Sequence, residues 1–295
     1  MIKLKQRLRE TLTGNLISVV LCFDLENAIP CPRAEVSNLF YKRKINVYNL
    51  TAHYSMTKKG YNAVCNEMDA GRGGNEIASA LVPILKNVLA ENDKIEKLCL
   101  WSDSCVPQNK NSFMVTALKI LLHKHPNLKE IEHKFCCPGH SSIQEVDNIH
   151  SPIEKALKVC GYSPPGFVRV LTKVRQSFMK VIELKTGIFC NYQKTSKHLN
   201  ILEIQFKKVK AIKVLRDKPG HAYVQYSFHK EFQEYCILLN RQGNSIVNTE
   251  KLLSVSKIAR KPTASKKKFN DIKSMLKYMP LEDQEYFKKM LKIKL

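Results

Sequence analysis

No apolar run in this 295-residue chain reaches the ~20 residues that a membrane-spanning helix needs. The segment Leu16–Phe23 is apolar but stops at Asp24, so it reads as a buried strand. No small-residue cleavage pattern follows the Lys/Arg-rich N-terminus, and no secretory leader is expected. The ten cysteines lack a short repeating spacing, which argues for reduced thiols and an intracellular protein rather than a disulfide framework. The glycine-rich stretch Gly71–Asn75 lacks a following Walker Lys-Ser/Thr pair, so it reads as a turn or a backbone–phosphate contact, not a nucleotide site. Internal repeats and long low-complexity tracts are also missing.

Acidic residues are in short supply. There are 26 Asp and Glu against 49 Lys and Arg, a formal net charge of +23. The excess is uneven: residues 1–160 carry 21 basic and 16 acidic side chains, residues 161–295 carry 28 and 10. A basic field concentrated in one half favours a polyanion, and nucleic acid is the commonest one. The expected partner is therefore nucleic acid, DNA ahead of RNA, with no membrane. The run Arg260–Lys268 suggests a nuclear address, although short basic runs are usually just solvated.

What remains is a globular composition, 44% hydrophobic and 25% charged. Five strands are predicted: Leu16–Asp24, Ile45–Tyr54, Gly60–Glu67, Lys97–Trp101 and Glu130–Cys137. The second alternates apolar and polar residues and reads as half-buried. Ile77, Leu81, Ile84, Leu85, Val88 and Leu89 fall at helical spacing behind a candidate cap, Asn75. Asn111–His123 is a second helix. A third begins at Ser142, where Glu145 three residues on makes a capping box, and Pro152 is expected to kink or split it. The order β-β-β-α-β-α-β-α predicts an α/β domain over residues 16–160, behind a basic segment 1–15: an RNase H-like mixed five-stranded sheet flanked by helices. Residues 161–258 are expected to form a small basic β-rich region, with strands around Phe167–Leu171, Met179–Leu184, Ile201–Phe206, Lys210–Leu215 and Ala222–Phe228. A basic linker, 259–268, and a helical hairpin, 269–295, complete the chain.

Two predicted strands lead into carboxylates, Asp24 and Asp103. If these strands are parallel neighbours, their ends bring two like charges together, which a divalent cation can bridge. Mg²⁺ (or Mn²⁺) suits carboxylate and water ligands, and a metal pair supports phosphodiester chemistry. A third carboxylate is then needed. Asp147, Glu145 and Glu76 are the candidates, and a role in offsetting the helix dipole stands beside the metal role for Glu76. His140 and His150 are each a phosphate or metal contact, a general acid, or a tether that holds a loop through a backbone carbonyl. His133, Cys136, Cys137 and His140 invite a zinc reading, but adjacent strand cysteines point to opposite faces and chelate poorly. Tyr223, Tyr226, Phe228, Phe232 and Tyr235 offer a base-stacking surface, although aromatics at strand spacing more often belong to a core.

The strings Phe23-Asp24-Leu25-Glu26-Asn27, Phe40-Tyr41-Lys42-Arg43, Gly71-Arg72-Gly73-Gly74-Asn75-Glu76-Ile77, Trp101-Ser102-Asp103-Ser104-Cys105, Gln108-Asn109-Lys110-Asn111 and Pro138-Gly139-His140-Ser141, with Glu145-Val146-Asp147 after them, resemble one family. It is an animal family of unknown function found in transposon-rich genomes. Its members carry a Trp-Ser-Asp-x-Cys-x-x-Gln-Asn-x-Asn block and a Gly-His-Ser/Thr block before an acidic helix. The likeness covers about residues 20–160, and the stretch Leu276–Leu291 also resembles the family's usual ending. Members often begin well upstream of the first strand, so a truncated copy is expected. The Ser-Asp-x-x-x-x-Gln block further resembles the second catalytic Asp of DDE transposases and retroviral-type integrases. That resemblance implies Asp24, Asp103 and Asp147 as successive metal ligands, with Glu145 competing for the last place. Two functions stay open: metal-dependent cleavage or strand transfer, and nucleic-acid binding by a degenerate or domesticated copy without catalysis. A protein-interaction module ranks behind both.

Overall fold

A strand without a polar face must be covered on both sides. The first strand of the computed structural model, β1 (Ser18–Leu25), is such a strand. The structure describes residues 17–33, 37–137, 145–157, 162–201, 203–237, 254–259 and 264–291. Val19, Leu21 and Phe23 face a helical layer, and Val20 and Cys22 pack on the opposite face with Trp101, Val146 and Phe228. After β1 come β2 (Ile29–Cys31), the short α1 (Ser37–Phe40), β3 (Ile45–Tyr54), β4 (Gly60–Asn66), α2 (Gly74–Glu91), β5 (Lys97–Ser102), α3 (Ser112–Lys124), β6 (Glu130–Phe135) and α4 (Asp147–Leu157). The second half contributes α5 (Pro164–Lys173), β7 (Met179–Glu183), α6 (Tyr192–Ser196), β8 (Ala211–Leu215), β9 (His221–Gln225), β10 (Gln233–Cys236), α7 (Lys266–Met275) and α8 (Leu281–Leu291).

The fold is mixed α/β, built on one sheet of ten strands among the described residues, not five. Its order is β10-β9-β8-β6-β5-β1-β3-β4-β7, with β2 on β3. β1 runs antiparallel to β3 and parallel to β5, and β5 runs parallel to β6. The described strands of the basic second half do not make a sheet of their own. β7 adds to β4 in parallel at one edge, and β8, β9 and β10 continue from β6 at the other.

Two predicted strands are absent. Phe167–Leu171 lies in α5, because Ser163 accepts from the Gly166 N–H at 3.0 Å and Pro164 opens the first turn, where a missing N–H costs nothing. Phe167, Val170 and Leu171 then fall on one helical face and are buried. Of the strand expected over Ile201–Phe206, the described residues 201 and 203–205 are not strand, and Phe206 opens a 3-10 segment, Phe206–Lys208.

The expected stripe of α2 is buried against α3 and one sheet face. Its cap differs: Gly73 takes the N-cap, and the Asn75 side chain accepts instead from the Gln193 N–H at 2.9 Å. On the other face α4 presents Ile149, Ile153 and Leu157, and α5 presents Phe167, Val170 and Leu171, to Ile29, Cys31, Val47 and Val64. α4 passes through Pro152 without being split. It begins at Asp147; most of the expected capping box, and His140, lie outside the described residues. The closing hairpin docks through Ile272, Met275, Met279 and Phe287 on Ile45. The buried Asp283 ties it down by accepting from Ser163 and from Arg169 Nη2 at 2.7 Å. No helix among the described residues is long and apolar enough to cross a membrane.

Candidate functional site

Strand register decides which carboxylates meet. Cys22 pairs with Trp101 across the parallel β1–β5 ladder. Two residues further on, past the last paired positions, come Asp24 on β1 and Asp103 just after β5, and the charge of Asp103 acts on the Asp24 carboxyl. Val146 packs over Cys22 and Trp101 on that face, and Asp147 follows it into the first turn of α4. Burial pushes the Asp24 carboxyl up to about 7, and the charges of Asp103 and then Asp147 push the same way, against one hydrogen bond from the Leu25 N–H. Three of the sequence candidates are thus brought within electrostatic reach of one another.

The other two candidates lie elsewhere. Glu145 is engaged by β3: Ser55 Oγ donates to it at 2.5 Å, and His53 Nδ1 lies 3.1 Å away. Glu76 lines a small cleft with Leu25, Tyr48, Leu50, Ala63 and Cys65, the face of the sheet opposite to Asp24. There it stands against Gly71 and Gly73, whose missing Cβ atoms leave room for its carboxylate.

The Trp-Ser-Asp block acts as a clamp on Asp103. Its Oδ1 accepts from the Cys105 N–H at 3.1 Å and from Asn109 Nδ2 at 2.5 Å. The N–H groups of Gln108, Asn109 and Lys110 all point to the Cys105 carbonyl. Asn111 closes the loop by capping α3, accepting from the Met114 N–H at 3.0 Å. Beneath the loop Ser102 Oγ lies 2.8 Å from His133 Nε2; His133 is fully buried, and burial holds its pKa down at about 3.

Sequence reasoning missed a buried polar seam next to Asp24. The polar residues of β3 were expected to face solvent, yet Asn49, Thr51 and His53 are buried under the second helical layer. Asn49 Nδ2 donates to Glu26 Oε2 at 2.9 Å and to Asn62 Oδ1 at 3.1 Å, and Thr51 Oγ1 donates to the same Asn62 oxygen. Burial raises the Glu26 carboxyl to about 7; the Asn49 hydrogen bond opposes this and the Glu154 charge adds to it. The signal in the sequence was Asn-x-Thr-x-His at period two, opposite an acidic strand end.

Residues 48–251 match a protein family described as a domain of unknown function, DUF7869. The chain belongs to the DUF7869 family. The DUF7869 match takes in Asp103, the Asn109–Asn111 clamp and Asp147, and begins after Asp24 and Glu26. Neither a curated protein nor a solved structure matches the chain.

The donor set of this DUF7869 site suits a hard divalent cation, since it offers carboxylate oxygens in mutual repulsion. Among the described residues, however, no three His, Cys, Asp or Glu side chains stand close enough together to hold a metal ion. Asp24 and Asp103 form the firm pair. Asp147 contributes its charge to the pair without closing the set.

Proposed function

We propose that this DUF7869 chain is a nucleic-acid protein of transposase or nuclease descent, with an RNase H-like core and a Mg²⁺- or Mn²⁺-binding centre built on the Asp24–Asp103 pair, with Asp147 adding its charge from α4. The observation that carries this reading is the pair Asp24–Asp103, at the carboxyl ends of adjacent parallel strands. The inner order β4-β3-β1-β5-β6, antiparallel on one side of β1 and parallel on the other, supports the RNase H-like comparison. The net charge of +23 supports a phosphate-bearing partner. When bound, a divalent cation supplies an activated water or hydroxyl and stabilises a leaving oxygen. The chain's own part is to fix Asp103 through Asn109 and the Cys105 N–H, hold Asp24 partly desolvated near it, and add the charge of Asp147 from the start of α4.

The test has two readouts. Titration with Mn²⁺ or Mg²⁺ should stabilise the wild-type protein, by about 2.7 kcal/mol at one hundred times Kd, and should not stabilise Asp24→Asn. Cation-dependent nicking of a supercoiled plasmid should fall at least a hundredfold in the same variant. Equal stabilisation and equal nicking in both proteins would overturn the assignment. A second reading, nucleic-acid binding without cleavage, is favoured by the third carboxylate failing to close on the pair. Salt-sensitive duplex binding with no nicking and no stabilisation by either cation would select it.

A further inference from the structure

Among the described residues, the buried Lys134 and the partly buried Lys97 and Lys119 all have close polar partners, and the buried Lys110 does not. Lys134 reaches Glu132 at 3.0 Å and Lys97 reaches Glu130 at 2.7 Å. Lys119 donates to the carbonyls of Pro219 and His221 at 2.5 and 3.1 Å. Lys110 is 3% exposed and makes no ion pair within 4 Å among the described residues. Among the described residues its ammonium has one hydrogen-bond contact, a long one to the Lys207 carbonyl at 3.5 Å, and it lies 5.2 Å above the Phe135 ring. Leaving a cation so poorly compensated is costly unless it receives an anion from outside.

The surroundings point the same way. Lys110 belongs to the clamp that fixes Asp103, so its stem is ordered in advance. β8 runs antiparallel to β6, and its start therefore lies at the carboxyl end of β6, level with the acidic pair. The Phe135 N–H donates to the Lys210 carbonyl at 2.9 Å, which fixes Lys210 at that end, with Lys207 and Lys208 just before it. Burial and the charge of Lys210 pull the Lys110 pKa down, while Asp103 and Cys137 pull it up. Two cations are thus held near each other, on the flank of the two aspartates and within the field of one of them.

We propose that Lys110 and Lys210 form a binding subsite for a backbone phosphate of nucleic acid, beside Asp103. The phosphodiester then sits between a basic wall, supplied by the β6–β8 junction, and the acidic pair at the ends of β1 and β5. This deepens the function proposed above and rests on it: it names the substrate group and the residues that hold it. Lys110 is a binding and positioning residue, and the block Gln108-Asn109-Lys110-Asn111 gains a use for its one cation.

The probe is a fluorescent 20-base-pair DNA duplex, with Kd followed by anisotropy over a range of NaCl concentrations. Lys110→Gln and Lys210→Gln should each weaken binding three- to tenfold at low salt and make the slope of log K against log salt shallower by about 0.9, the value of one phosphate contact. Lys110→Arg should restore most of both. Because Lys110 is buried, its glutamine variant is read only if its denaturation midpoint stays near wild type; the half-buried Lys210 decides otherwise. Wild-type binding with an unchanged slope in Lys210→Gln and in a folded Lys110→Gln overturns the subsite alone. Absence of salt-dependent binding in the wild type overturns the nucleic-acid function itself.

Discussion

Replacing Glu26 by glutamine should stabilise the protein at neutral and alkaline pH and change little in acid. Glu26 is 5% exposed, and its Oε1 and the nearby Asn49 Oδ1 both lack a hydrogen-bond partner among the described residues. The Asn49 Nδ2 hydrogen bond to Oε2 survives protonation, and a proton on the carboxyl removes the cost of burying its charge. Its native pKa of about 7 lies above the ordinary 4.5. The protonated form is therefore the one that suits the folded state. The stabilising contribution is complete below pH 4.5 and is lost as pH rises through about 7. Each pH unit in that window costs roughly 1.4 kcal/mol, about 3 kcal/mol across it. Glutamine keeps the shape, stays neutral, and can still accept from Asn49 Nδ2. Urea denaturation in EDTA, followed by fluorescence of the buried Trp101, should show Glu26→Gln more stable by about 3 kcal/mol at pH 8 and close to wild type at pH 4.5, with a melting temperature higher by roughly 6 °C at pH 8. A variant less stable than wild type at pH 8, or a difference that does not change with pH, would refute the reasoning and mark Glu26 as a carboxylate that works ionised.

Asp283→Ala should cost about 2 kcal/mol, less than a fully buried pair because Arg169 is part-exposed and rehydrates, and limited proteolysis should then cut within 264–291 before the sheet. The thiols divide by burial. Cys31, Cys65 and Cys99 are pushed up to about 12 by burial, so alkylation of the native protein at pH 8 with mass mapping should modify Cys105, Cys137, Cys190 and Cys236 well before them. Fast labelling of Cys99 would mean that the β1–β5 ladder opens readily.

Much of the inner sheet was legible because its strands are bounded by local signals. β1 reads as apolar on both faces, and the α2 stripe has an unbroken helical period, so burial could be assigned without knowing the neighbours. Asp24 and Asp103 were found because each directly follows an apolar run. What failed depended on distant partners. β3 looks half-exposed until α4, some hundred residues later, covers Asn49, Thr51 and His53. The period of Phe167–Leu171 is short enough to fit strand or helix, and Ser163-Pro164 decides for helix. The strands of the basic half were mostly located, but nothing in them says whether they pair with each other or with β4 and β6. Glu76 was a reasonable candidate from its place in a helix first turn; the register puts it on the wrong face.

The pairing of Tyr61 with Lys180 in β4–β7 and of Lys134 with Ala211 in β6–β8 has a kinetic consequence. Every strand from β1 to β6 pairs with partners available by residue 135, whereas both flanks of the sheet close loops of many tens of residues. Long loops slow the approach to the native state more than they weaken it. The aspartate pair at the centre can therefore be assembled while the chain is still unfinished, and the lysine-bearing flank arrives afterwards. In hydrogen exchange the same order should run backwards, with β7 and β8–β10 opening at lower free energy than β1, β3 and β5, so that the protein would lose its basic wall before it loses its acidic centre.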